Sequence, residues 1–138
     1  MDDTFVPIQS AEGWQMSNET VLSMAALRAS LDIFDEVGME QIVTKSRLIT
    51  GYLEFLILGI ESKDIDIITP SEPIERGAQL SIRVIHSNRS LFKAISDKGV
   101  IADWREPDVI RIAPAPLYNS FMDVFRFVEI LKEVLPSS

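Results

Sequence analysis

Ile110-Arg111-Ile112-Ala113-Pro114-Ala115-Pro116-Leu117-Tyr118-Asn119-Ser120-Phe121 is the stretch on which the fold turns. Val109, Ile110 and Ile112 are β-branched residues suited to a strand, and Arg111 among them faces the other way because side chains alternate along a strand. Pro114 and Pro116 then stop the ladder, since proline has no N–H to give. Asn119 or Ser120 reads as a helix N-cap ahead of the apolar run from Phe121 to Leu135. An arginine is thus delivered at a strand end, beside a rigid turn and a helix start. A guanidinium there offers a planar fork of donors that matches a carboxylate. On spacing alone the plainer reading, a solvated edge-strand arginine, comes first.

Working back from this stretch, Val100 to Trp104 reads as a strand ended by Glu106-Pro107-Asp108. Asn88 to Lys98 reads as a helix with Asn88 as cap, Leu91, Phe92 and Ile95 inward, and Gly99 at C′. Gln79 to Val84 alternates polar and apolar, the period of a half-buried strand. Ile65 to Thr69 is a further strand, closed by Pro70, and a polar loop runs from Ser71 to Gly77. Two helices precede these elements. Thr20 to Val37 places Met24, Leu27, Leu31 and Phe34 on one face. Ser17 or Asn18 is its expected N-cap, Glu19 sits in its first turn, and Gly38 is its expected C′. Met39 to Leu58 carries a stripe of Ile42, Ile49, Leu53, Leu56 and, just beyond it, Ile60, with Lys45 and Arg47 on the polar side. Gly51 inside this helix costs about 1 kcal/mol relative to alanine, so close packing is expected there. A short turn suggests that the two helices pair antiparallel.

The order helix, helix, strand, strand, helix, strand, strand, helix implies an α+β, layered α/β domain. Its four-stranded sheet should be mostly antiparallel or mixed, with helices packed on one side. Residues 1–18 form an irregular lead-in and residues 19–138 the domain. The last helix is apolar nearly all round, so one face should cover the sheet and the other meet a second domain or chain.

Composition narrows the function. A net charge of −8 argues against nucleic acid and anionic membrane surfaces, and no apolar run reaches the roughly 18 residues that span a bilayer. The chain has no cysteine, which excludes disulfides, thiolate nucleophiles and Cys-ligated zinc. Met1-Asp2-Asp3 has no basic n-region, so no signal peptide is expected and a cytoplasmic location follows. The single histidine, His86, sits with Ser87 and Asn88 in an expected turn, without a nucleophile elbow nearby. Trp14 and Trp104 suit packing better than ligand stacking. No Gly-rich phosphate loop is present. By motif this is a binding or packing module with no complete active site, and no catalytic residue is assigned to it.

Several blocks, in order, resemble the C-terminal part of kynureninase. They are Gly13-Trp14-Gln15-Met16-Ser17-Asn18, Leu22 to Phe34, Leu48 to Leu56, Arg76 to Ser81, Gly99-Val100-Ile101-Ala102-Asp103-Trp104-Arg105-Glu106-Pro107, and Arg111 to Phe121. The resemblance covers nearly the whole chain from Phe5 onward. It implies the small domain of a homodimeric, fold type I, class V aminotransferase-like pyridoxal-phosphate enzyme of tryptophan catabolism. That enzyme hydrolyses kynurenine or 3-hydroxykynurenine to an anthranilate and alanine. By this resemblance Arg111 binds the substrate α-carboxylate, Asn18 lies near the aromatic end, and Ser17 is its neighbour. Tyr118, Asn119 and Ser120 would position Arg111 and cap the last helix. The Schiff-base lysine and the phosphate contacts belong to a large domain that has no counterpart here. Pyridoxal phosphate is therefore expected in the full-length family and not on this chain alone, and the large domain is the expected partner. Glu19 and Thr20 stand where the family commonly has two prolines, and Met122 where it often has histidine. Three readings stay open: an inactive small-domain piece of a kynureninase, a piece of a related desulfurase or aminotransferase, or a stand-alone module for a small carboxylate or a partner protein.

Overall fold

The structure, a computed structural model, describes residues 4–85 and 89–136. His86, Ser87 and Asn88, with the turn and helix cap expected on them, lie outside the described residues. The chain divides into two compact units, residues 1–38 and 39–138.

The first unit holds a 3-10 turn, Ala11–Trp14, and helix α1, Val21–Val37. The expected cap at Ser17 or Asn18 is not formed. Thr20 is the N-cap, in extended conformation, with no side-chain hydrogen bond. Its backbone carbonyl accepts from Met24 N–H at 3.0 Å, which starts the helix two residues beyond Asn18. Gly38 follows at φ 81° and donates to the Phe34 carbonyl, a left-handed conformation that favours glycine. None of the residues of α1 is buried, so the stripe of Met24, Leu27 and Leu31 lies exposed. Trp14 is exposed as well.

The second unit is α2 (Met39–Leu58), β1 (Ile65–Ile67), β2 (Leu80–Val84), α3 (Ser90–Asp97), β3 (Asp103–Arg105), β4 (Val109–Ile112) and α4 (Phe121–Val134). The four strands form one sheet in the order β1-β2-β4-β3, and every neighbouring pair is antiparallel. The expected α+β domain with an antiparallel sheet is therefore present. Alternation along β2 buries Leu80, Ile82 and Val84 and leaves Ser81 and Arg83 on the opposite face. Ile110 of β4 joins the buried set. The three helices supply the rest of that core through Ile49, Leu53 and Ile57 of α2, Leu91 and Ile95 of α3, and Val124, Phe127, Val128 and Leu131 of α4. Helices thus cover the apolar face of the sheet, and the polar face is left open.

Strand β3 starts later than the expected Val100. The cause is the end of α3. Gly99, at φ 88°, donates to the Ser96 carbonyl and Val100 N–H donates back to the Ile95 carbonyl. This pair of bonds is a Schellman closure. It uses the Val100 N–H, packs Val100 against the core, and leaves Asp103–Arg105 to reach β4. Trp104, inside β3, packs on Phe92 with ring centroids 5.8 Å apart.

Two expectations for α2 change. Ile57 joins the buried stripe, and Leu56 packs against the core only partly buried. A Cβ built on Gly51 would meet nothing within 4 Å, so no close packing offsets its cost. The loop before β2 also holds a tie that periodicity misses. Arg76 Nη2 donates to Glu54 Oε2 of α2 at 2.7 Å, with the two side chains 5% and 16% exposed, and Arg76 Nη1 donates to the Pro70 carbonyl at 3.3 Å.

These observations set two stability tests by urea denaturation of the chain. Gly51→Ala has open space and an ordinary helical position, so it should raise stability by about 0.5–1 kcal/mol; a loss would mean that the site is not open. Arg76→Ala strands the Glu54 carboxylate in a nearly buried place and should cost about 3 kcal/mol, whereas a change under about 0.5 kcal/mol would show that solvent already screens the pair.

Candidate functional site

The open face of the sheet carries the polar residues that alternation pushes away from the core. Register places Arg111 of β4 directly between Ser81 of β2 and Asp103 of β3. Arg111 Nε donates to Asp103 Oδ2 at 2.6 Å, and Arg111 Nη2 donates to the same oxygen. Arg105 Nε donates to that oxygen too, at 3.0 Å. One carboxylate therefore sits between two guanidinium groups, and the three side chains sum to a single positive charge. The Arg111 side chain is 33% exposed and Asp103 47% exposed, so the cluster is held by its strands yet open to a ligand. The Arg111 hydrogen bond pulls the Asp103 carboxyl below the usual carboxylate range. Desolvation works against it, and the Arg105 charge adds to the lowering. Sequence reading isolated Arg111 but passed over Asp103 and Arg105. The signal was the Asp103-Trp104-Arg105 alternation earlier in the chain, which only pairing of β3 with β4 turns into a cluster.

The chain after Arg111 is fixed by three contacts. Lys45 Nζ donates to the Pro116 carbonyl at 2.6 Å, so this lysine from the polar side of α2 ties the turn to the helix. Asn119 Oδ1 accepts from Ala115 N–H at 2.8 Å, and Asn119 N–H returns a bond to the Ala115 carbonyl. Ser120 is the N-cap of α4 in a complete capping box: its hydroxyl accepts from Asp123 N–H, and the Asp123 carboxylate accepts from Ser120 N–H. The start of the helix is therefore occupied by its own carboxylate, and the arginine cluster, not the helix end, is what remains for an anion. Asp123 is likewise lowered, first by the Ser120 backbone bond and then by the Ser120 hydroxyl. Tyr52 of α2 meets Phe121 edge-on at 5.7 Å, which seats the first turn of α4 on α2.

Of the other sequence candidates, Ser17 and Asn18 belong to the first unit and are exposed. Gln15 Nε2 donates to the Ser17 carbonyl at 3.0 Å. A cleft of 510 Å³ opens on the helix side of the second unit, lined in part by Leu53, Ile101, Ile112, Asn119 and Phe127. Arg111 is not among its lining residues.

The topology defines the class of the second unit as a small α+β domain with an antiparallel sheet, an arrangement that larger solved proteins share. A NifS-like protein overlays 94% of this chain with a TM-score of 0.70 at 18% identity, the chain covering 38% of it. An acetylornithine aminotransferase from Elizabethkingia anophelis overlays 89% with a TM-score of 0.59 at 16% identity, the chain covering 33% of it. More specifically, the chain belongs to the kynureninase C-terminal domain family, whose profile matches residues 42–131. It is 53% identical over 129 residues to a kynureninase of Koribacter versatilis, 94% of this chain and 30% of that protein. It is 50% identical over 132 residues to one of Myxococcus xanthus, 96% of this chain and 31% of that protein. The chain thus spans about 30% of the length of these relatives.

The lysines present do not fit a pyridoxal-phosphate site by themselves. Lys45 is bonded to Pro116. Lys93, Lys98 and Lys132 are paired with Asp97, Glu133 and Glu129. Lys63 is exposed. A Schiff-base lysine needs a surrounding cofactor site to hold it in place. Among the described residues no helix is long and apolar enough to cross a membrane.

Because Asp103 and Asp123 are both depressed, their contribution to stability is complete above the ordinary carboxyl value of 3.8 and is lost as pH falls below it. The melting temperature should therefore drop as pH is lowered from about 5 toward 2. The drop should be shallower in Asp123→Asn, which is already less stable at neutral pH. Ser120→Ala should cost about 1 kcal/mol at neutral pH. A wild-type and Asp123→Asn pair with parallel melting curves across this range would remove the capping box from the account.

Proposed function

We propose that this chain is the carboxylate-binding small domain of a kynureninase-type hydrolase. In this reading the enzyme converts kynurenine or 3-hydroxykynurenine to an anthranilate and alanine. Arg111 grips the α-carboxylate, and Asn18 and Ser17 contribute near the aromatic end. Pyridoxal phosphate is supplied by a large domain outside this sequence, which is also the partner of the domain, and the assembled enzyme is a cytoplasmic homo-oligomer. The observation that carries the reading is the Arg111 guanidinium on the open face of the sheet, pre-set by Asp103 and by the anchored Pro114–Pro116 turn. It lies in a chain about half identical to kynureninases along nearly its whole length.

The role of Arg111 follows from what the reaction asks. An amino acid must be held in one orientation while bonds at the carbons beside its carboxylate are rearranged. A guanidinium fork fixes both the position and the plane of a carboxylate, where an ammonium fixes position only. A fork already immobilised loses little entropy when the ligand arrives. The exposed stripe of α1 and the exposed Phe121, Met122 and Phe125 of α4 support a domain that normally packs against more protein. They weigh against a module that works alone.

Steady-state kinetics on kynurenine, in the longer enzyme to which this domain is assigned, test the reading. Arg111→Lys should retain fold and cofactor but lower kcat/KM by about 2–5 kcal/mol of transition-state binding if the pair is desolvated. Arg111→Ala should lose at least as much. Near wild-type kcat/KM in Arg111→Ala would leave the arginine as a solvated strand residue.

A further inference from the structure

The two donors that Arg111 gives to Asp103 lie on one edge of the guanidinium, Nε and Nη2. The other edge, Nη1 with the second Nη2 proton, has no partner among the described residues, and it has the spacing of a carboxylate's two oxygens. Asp103 thus engages one edge of the arginine and leaves this second donor edge for an outside anion. Its place is set by the backbone, because antiparallel register holds it directly opposite Arg111. Arg105, two residues along β3 on the same face, shares the Asp103 oxygen at 3.0 Å and keeps the cluster net cationic. Without such a partner, an arginine side chain samples many rotamers and loses that freedom when it is fixed.

We propose that Asp103 is a positioning residue for the substrate-carboxylate site: it clamps the Nε–Nη2 edge of Arg111 so that the Nη1–Nη2 edge is presented to the α-carboxylate, while Arg105 offsets the charge Asp103 brings. This rests on the reading of Arg111 as the carboxylate-binding group. The contrary role, Asp103 as a competitor that occupies the arginine and must be displaced, makes the opposite prediction, because removing a competitor improves anion binding.

Two measurements decide it. In the longer enzyme, Asp103→Asn should raise KM for kynurenine about tenfold, the worth of one charge-assisted hydrogen bond, with a smaller change in kcat. Asp103→Glu, which retains the charge, should recover part of the loss. In the 138-residue chain, the Arg111 Nε–H signal in ¹⁵N NMR, assigned with Arg111→Lys, should be shifted and protected from solvent exchange, and should move to the free-arginine position in Asp103→Asn. An Nε–H signal unchanged by Asp103→Asn shows that the clamp does not form in solution and overturns the proposal. So does a lower KM in Asp103→Asn, which makes Asp103 the competitor. An unchanged KM in Asp103→Asn, alongside a large loss in Arg111→Lys, overturns the clamp and leaves the carboxylate role of Arg111 standing. Unchanged kinetics in Arg111→Lys overturn both.

Discussion

Strand β4 is paired on both sides, by β2 and by β3, so its two-residue alternation cannot slip. Ile110 points into the core at 1% exposure, and Arg111 must therefore face the open side. A shift of one residue would drive a guanidinium into the core opposite Ile82 and expose the isoleucine. Burying an unpaired charge costs far more than any surface contact returns, so the register is strongly specified. The arginine cluster depends on this constraint: the same pairing that buries Ile110 sets Arg111 opposite Asp103.

Around β4 the structure uses its polar contacts in two ways. Arg76 and Glu54 are nearly buried and tie the loop before β2 to α2; breaking one partner there leaves a charge out of water. Asp103, Arg105 and Arg111 are about one-third to two-thirds exposed, and pairs of that kind contribute little to stability. The value of the cluster lies in geometry. Lys45, Asn119 and the Ser120–Asp123 capping box act on the same segment from the other side, fixing where the chain goes after Ile112. Strand, turn and helix start are consequently held by separate contacts, and the arginine is carried on a rigid frame.

Apolar surface remains uncovered in both units. Helix α1 buries none of its residues, and α4 exposes Phe121, Met122 and Phe125, although both helices have the composition of packed ones. The kynureninases it matches are about three times as long. Apolar faces of this size on a small domain are usually covered by a neighbour.

The sequence by itself determined the element order, the α+β class, both helix boundaries of α2, the Gly99 helix end, a cap for α4 at Asn119 or Ser120, and the prominence of Arg111. All of these rest on local rules: side-chain period, the missing N–H of proline, the positive φ that glycine tolerates, and hydroxyl capping. It also carried the family, because blocks such as Asp103 to Pro107 and Arg111 to Phe121 are specific as strings. What it could not show was which strings meet. Asp103 was read as part of a strand starting at Val100, Lys45 as a residue on the polar side of its helix, Gly51 as a close-packing point, and Ser17 or Asn18 as a cap. The start of β3 and the cap of α1 were settled by hydrogen bonds close by in the chain, whereas the partner of Lys45 and the open space at Gly51 depend on where distant segments lie. Strand pairing and helix packing join residues that no local period relates, so only the tertiary structure could turn a lone arginine into a clamped one.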